Sequence, residues 1–347
     1  MEQTEALSKI YKAAYAPFFG IMLYTALDLN LPSLLQQPKT VSELAELTSA
    51  LPNKLDRLLM ALEVDGYFSF NPETNQWSNS PTTAVLTEES LKRLIKYLFW
   101  PFKYDILCSF PEWVKSEKSC PELRFGCHYY EGFKNNPELL KTFQGGMQSM
   151  TTVWNSGSKD IGVGDCERVL EIAGGNGSFM IHFASQYPKM IATVLERPEV
   201  VPICRRNIEN HNLQDRISVI EGDMFENVPS GYDCIIIKHA LIDWENDKVK
   251  TVLANIRSAL NVGGKLKWFD VFGGRNTRNY FWSRVMDMHL GTILNGRVRT
   301  LEEVEKLLTE SGFRMENIEI FTRDEFVNEE MEINPEASEY IAHAVAI

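Results

Sequence analysis

An apolar run, Val169-Leu170-Glu171-Ile172, stops at Ala173-Gly174-Gly175-Asn176-Gly177, and a helical stretch begins at Ser178. Strand, glycine turn and helix in that order bring backbone N–H groups against a ligand and aim a helix N-terminus at it. Glycine is needed there because a Cβ would block either the sharp turn or the ligand. The turn alone is a weak signal for nucleotide binding. Glu196 strengthens it, because an acid roughly twenty residues past the glycines suits a ribose diol, both of whose hydroxyls donate to one carboxylate. Further on, Gly222-Asp223-Met224-Phe225 follows another apolar run. Asp223 suits an adenine amino group, and Met224 and Phe225 suit its ring faces.

The elements that position these residues read as alternating strands and helices from Cys166 onward. Strands are expected at 168–172, 191–195, 217–220, 233–237, 265–270 and 340–346, with helices at 178–187, 199–211, 247–260 and 301–311. Such alternation implies a doubly wound α/β domain, a mostly parallel sheet with helices on both faces. Ligands of such sheets lie beyond the carboxyl ends of the strands, which places Lys238, His239 and the segment up to Trp244 in the same shell.

The 347 residues and 44% apolar content suit about two domains with sizeable cores. Net charge is −12, from 47 acidic against 35 basic residues, which argues against a polyanion-binding surface. The polar start and the lack of a long apolar run imply no membrane association and a cytoplasmic location. Six cysteines without a CxxC pair and six dispersed histidines point to reduced thiols and no metal.

Residues 1–105 read as a helical domain. Thr40-Val-Ser-Glu43 is a capping box, Leu55, Leu58, Leu59 and Leu62 recur at helical spacing, and a hairpin signal follows at 67–79. Helix, helix, hairpin is a winged-helix pattern. The second helix of the pair carries only Lys54 and Arg57 as basic residues, so no nucleic-acid role is expected; dimerisation or covering a substrate is the better reading. Residues 106–160 form an aromatic-rich helical connection that either packs between domains or lines a substrate pocket. Asn155-Ser-Gly-Ser marks the break before residues 161–347.

The segments LEIAGGNGSF, VLERPEVV, EGDMFENVP, IIIKHALIDWENDK, GGKL and GRVRTLEEVEKLLTESGF together resemble the caffeic-acid and hydroxyindole O-methyltransferase family. FGCHYYEGFKNNPELLKTFQGGM extends the resemblance, which covers nearly the whole chain. These are class I enzymes that use S-adenosylmethionine (SAM). The resemblance implies a Rossmann-like class I methyltransferase sheet behind a winged-helix dimerisation domain, a homodimer, and a small aromatic or polycyclic substrate from natural-product biosynthesis. The same glycine turn and acid would also allow a nicotinamide cofactor, a reading that recedes accordingly. Carried over by position, Gly174, Gly175, Glu196, Asp223, Met224, Phe225 and Lys238 are the expected cofactor contacts. Phe143, Met147, Ile242, Asp243, Met288 and Ile293 are the expected substrate contacts. The family's first glycine is Ala173 here, a small cost if its φ is negative, and the family's aspartate is Glu196.

One departure bears on the chemistry. The family's general base is a histidine immediately before Asp-Trp, and Ile242 holds that place; isoleucine takes no proton. Of the two acids that support the base, one aligns with Asp270 and the other with Val298. Two imidazoles are candidate replacements. His239 is either a structural residue by its strand or a base, and His289 is either a hydrogen-bonded helix residue or a base. Arg275, Arg278, Arg284 and Arg297 either receive an anionic group at the pocket mouth or are solvated. Two functions follow. The first is methyl transfer that relies on proximity, to an acceptor already acidic or not a simple phenol. The alternative is a SAM-dependent enzyme that keeps the methyl, as in hydroxylation or pericyclic ring formation, with a SAM-binding regulator behind both.

Overall fold

The computed structural model describes residues 2–134, 136–155, 161–164, 166, 168–184, 186–274, 280–321 and 339–347. The chain divides into two units, Met1–Asp105 with Gly145–Val153, and Ile106–Gln144 with Trp154–Ile347. The aromatic connection at 106–160 is thus shared between them, and most of the expected break lies outside the described residues.

In the first unit, helix Glu2–Asp28 leads to helix Val41–Thr48, whose start is fixed by the capping box. Glu43 N–H donates to Thr40 Oγ1 at 3.3 Å, and Thr40 N–H to the Glu43 carboxylate at 2.7 Å. Helix Pro52–Glu63 buries Leu55, Leu59 and Leu62, the leucines at helical spacing. Strands β1 (Phe68–Asn71) and β2 (Gln76–Asn79) form the hairpin, and Phe68 and Trp77 close this core. Trp77 Nε1–H donates to Asp56 Oδ1 at 3.2 Å, so the one polar atom of that ring has its partner.

The second unit is built on a seven-stranded sheet, β3 (Arg168–Ile172), β4 (Ile191–Glu196), β5 (Ile217–Glu221), β6 (Cys234–Lys238), β7 (Lys265–Val271), β8 (Phe313–Phe321) and β9 (Glu339–Ala346), ordered β5-β4-β3-β6-β7-β9-β8. β3 through β7 pair in parallel, and β9 runs antiparallel between β7 and β8. The inner strands are apolar on both faces because helices cover both. Helices Asn246–Ala259 and Leu301–Glu310 pack on one face with Leu170, Ile235 and Leu266. Helices Ser178–Ala184 and Val201–Asn210 pack on the other with Val169, Val194 and Ile236. This is the doubly wound α/β architecture. β8 is an addition to the expected set: its alternation is broken by a register shift between Met315 and Asn317, which hides the period from a reading of sequence.

Candidate functional site

Strand order reverses at β3, which has β4 on one side and β6 on the other, so the crevice beyond these carboxyl ends is where a ligand sits. The glycine turn lies there. Gly174 has no room for a side chain, since a Cβ would stand 2.5 Å from Glu171 Oε2 and 2.8 Å from Val194 Cγ1. Gly175 takes φ +58°, and its N–H donates to Glu196 Oε1 at 2.8 Å, tying the turn to the tip of β4. Asn176 Oδ1 then accepts from Ser178 N–H at 3.2 Å, satisfying an open helix donor.

Ala173 differs from expectation. Its φ is +55°, not negative, so its methyl sits in the left-handed region that costs a non-glycine residue about 1–2 kcal/mol. Ala173→Gly relieves that strain but adds backbone entropy to the unfolded chain, so a net gain of about 0.5–1 kcal/mol is expected in chemical denaturation. An equal or lower midpoint would show that the methyl's packing on the sheet core matters more.

Two buried acids face this crevice. Glu196 accepts from Gly175 N–H and, through Oε2, from Arg197 N–H at 2.7 Å; burial lifts its carboxyl to about 7 against those bonds. Glu171 is more extreme. It is fully buried, Oε2 has no hydrogen-bond partner, and desolvation lifts it to about 8 although Lys238 pulls the other way. Glu171 was not singled out from sequence, because inside an apolar strand it reads as one polar position in a core run. Gln144 was missed too: its buried Oε1 has no hydrogen-bond partner and lies 3.5 Å from where a Gly175 Cβ would be.

At the tip of β5, Asp223 Oδ1 accepts from Phe225 N–H at 2.8 Å, shaping the turn, and Met224 O accepts from Asn255 Nδ2 at 2.9 Å. Phe225 meets Trp244 edge to face at 4.8 Å. At the tip of β6, Lys238 Nζ lies 5.7 Å from the Phe179 ring, and His239 turns the chain at φ +50°.

The corner beyond β6 holds Ile242, at the place where the resemblance leads one to expect a histidine. Ile242 is buried in the short turn Leu241–Asp243. The loop after helix Tyr280–Leu294 is pressed onto that turn: Arg297 N–H donates to Ile242 O at 2.9 Å, and a Gly296 Cβ would meet that same oxygen at 2.3 Å. Arg299, buried, ties the corner together. It donates to Leu241 O at 3.0 Å, Trp244 O at 2.5 Å, Asn246 Oδ1 at 2.9 Å and Arg297 O at 3.4 Å. Val298, at the place of the second supporting acid, is buried, and its N–H donates to Asp287 Oδ1 at 2.8 Å.

Asp270 accepts from Trp268 Nε1–H at 2.6 Å, while its Oδ1 is 3.6 Å from His239 Nδ1 and has no hydrogen-bond partner; burial raises it to about 8. The fold therefore pairs His239 with Asp270. His289 is separate, half-buried on helix Tyr280–Leu294 with its carbonyl taken by Thr292 Oγ1 at 2.9 Å. On that helix Ile293 is buried and Met288 exposed.

Asp243 is buried, and its Oδ2 accepts from Tyr130 Oη at 2.5 Å. Tyr130 packs on Phe133, Phe143 and Trp244, and Phe143 stacks on Phe133 at 5.0 Å. Ile242, Asp243 and Phe143 are thus gathered with an aromatic cluster, whereas Met147 belongs to the segment grouped with the first unit and is half-buried. Of the four arginines, Arg284 pairs with Asp287 at 3.2 Å and Arg297 with Glu303 at 2.5 Å; Arg275 and Arg278 lie outside the described residues. Among the described residues no cluster of His, Cys, Asp or Glu is placed to hold a metal ion, and no helix is long and apolar enough to cross a membrane.

Comparison with known proteins gives a consistent result. A family model described as an O-methyltransferase domain matches residues 109–314. Over 299 residues the chain is 27% identical to a mitomycin biosynthesis 6-O-methyltransferase of Streptomyces lavendulae, covering 85% of each protein. Over 333 residues it is 26% identical to chavicol O-methyltransferase of Ocimum basilicum, covering 89% of this chain and 90% of the relative. Among solved structures, the mitomycin 7-O-methyltransferase MmcR superposes with a TM-score of 0.87 at 23% identity, covering 100% of this chain and 99% of that one. Human N-acetylserotonin methyltransferase in complex with SAM superposes with a TM-score of 0.84 at 18% identity, covering 98% and 97%.

Proposed function

The chain belongs to the O-methyltransferase domain family, and from that membership we propose a SAM-dependent methyltransferase of natural-product biosynthesis that acts on a flat, apolar small molecule. One observation carries the cofactor assignment beyond the family. Two buried carboxyls, Glu171 and Glu196, stand at the tips of adjacent strands, and Glu171 Oε2 lacks a partner. A buried acid without a partner is costly unless a cation or donor arrives. SAM brings both, an ammonium and a sulfonium for the acid and a ribose diol for Glu196, so the residues fit the group.

In this reading Glu196 holds the ribose, and Gly174 and Gly175 let the backbone approach. Asp223, Met224 and Phe225 hold the adenine, and Lys238 borders the cofactor. When bound, SAM supplies an activated methyl on a positively charged sulfur. The chain contributes position, which converts a bimolecular displacement into an effectively unimolecular one. Phe143, Ile242, Asp243, Met288 and Ile293 are assigned to the acceptor. His239, beside Asp270, and His289 stay candidates to replace the base that the resemblance expects at position 242, each set against a structural role.

A second reading has its own support. Ile242 and Val298 remove the base and one of its supporting acids together, as expected of a relative that has given up methyl transfer. Product mass separates the two. Turnover with SAM is expected to add one methylene to the acceptor and release S-adenosylhomocysteine. A converted product without added carbon would establish the second reading instead.

The first unit is proposed as a dimerisation domain of winged-helix order. Leu7, Ile10, Tyr11, Tyr15 and Phe18 are exposed along helix Glu2–Asp28, a stripe that a second copy of the chain would cover. The cytoplasm is its proposed location, in keeping with six free cysteines.

A further inference from the structure

The corner that lost its histidine contains another proton-accepting pair. Asp243 is the residue directly after Ile242, 7% exposed, in a turn that Arg299 and Arg297 hold by four backbone and side-chain bonds. Tyr130 Oη donates to Asp243 Oδ2 at 2.5 Å, a short charge-assisted contact. Tyr130 is half-buried, less enclosed than Asp243, and its ring packs on Phe133, Phe143 and Trp244. The arrangement has the logic of a nucleophile–base pair backed by a buried acid, with phenol in place of imidazole.

We propose that Tyr130 and Asp243 act together as the proton acceptor for hydroxyl substrates, an inference that rests on the methyltransferase reading above. As the acceptor oxygen gives its proton to Tyr130 Oη, Tyr130 passes its own to Asp243 Oδ2. The freed oxygen lone pair forms the new bond to the methyl carbon, and the carbon–sulfur pair stays on sulfur. The phenol ends as it began, and the carboxyl carries the proton until solvent removes it. Burial supports the assignment: it lifts Asp243 to about 7 against the Tyr130 hydrogen bond, which makes the carboxylate a stronger acceptor than a solvated one. The substrate class then widens from acceptors that arrive ionised to neutral phenols.

The test uses the full-length chain, SAM and two acceptors: a 4-alkylphenol, neutral at pH 7, and 2-hydroxy-1,4-naphthoquinone, already ionised there. Single-turnover methylation is measured for the wild type, Tyr130→Phe, Asp243→Asn, the double variant, His239→Gln and His289→Gln. Tyr130→Phe and Asp243→Asn are expected to slow the neutral phenol at least about 10-fold more than the ionised acceptor. The double variant should be no slower than either single one, as for groups that act as a unit. Tyr130→Phe keeps the ring and carries the test alone if Asp243→Asn does not fold. Equal slowing of both acceptors would make the pair structural and overturn the proposal. So would no slowing, a wild type that methylates only the ionised acceptor, or selective loss in His239→Gln or His289→Gln. A wild type that binds SAM yet methylates neither acceptor overturns the parent reading, and this one with it.

Discussion

Arg299→Met will destabilise the protein by about 2–4 kcal/mol, seen as a lower urea midpoint at unchanged slope. The side chain is 1% exposed, and burial pulls its guanidinium down to about 10, with Asp270 as the favourable opposite charge. It therefore remains charged at neutral pH. Methionine fills much of the volume but leaves the Trp244 carbonyl and Asn246 Oδ1 without this donor, while Leu241 O keeps only the longer bond from Trp244 N–H at 3.3 Å. Each stranded buried carbonyl costs about 1–3 kcal/mol. Asp270 also loses a positive charge that pulls its carboxyl down, so burial holds it protonated more firmly still. Arg299→Lys should recover less than half of the loss, because one ammonium cannot span carbonyls on both sides of the turn. A loss below about 1 kcal/mol would show that this corner is held by packing alone.

Glu196→Gln will weaken SAM binding about 10²-fold in calorimetry. A carboxylate accepts both ribose hydroxyls as charge-assisted bonds, each worth about 1.5–3 kcal/mol, whereas an amide offers one oxygen and no charge. The same substitution should stabilise the ligand-free protein at alkaline pH. The carboxyl is raised from 4.5 to about 7 by burial, the bonds from Arg197 and Gly175 opposing. A group raised in the folded state binds its proton more tightly there than in the unfolded chain. Its contribution to stability is full below the unfolded value and fades as pH climbs through about 7. Glutamine has no proton to lose. The variant should therefore match the parent near pH 5 and exceed it near pH 8. Unchanged SAM affinity would remove Glu196 from the ribose site.

Sequence located the strand tips well and the corner beyond them poorly. Glycines, Glu196 and Asp223 sit at fixed offsets from apolar runs, so period and punctuation were enough to find them. The Tyr130–Asp243 bond joins residues 113 positions apart, and no local pattern announces it. Arg299 was passed over because an arginine among polar neighbours reads as solvated; only the fold shows three elements converging on it. Arg284 and Arg297 each meet an acid, Asp287 and Glu303, which neither reading of those arginines names. Ala173 failed differently: its type was noted, but a dihedral angle cannot be read from a residue name.

Main-chain atoms join Gly296 and Arg297 to the turn that carries Ile242. The main-chain frame of this corner therefore does not hang on the side chains at 242 and 298. Both are buried, so a polar group placed at either would need its own hydrogen-bond partner there. Its chemistry can change by substitution only where the surroundings supply that partner.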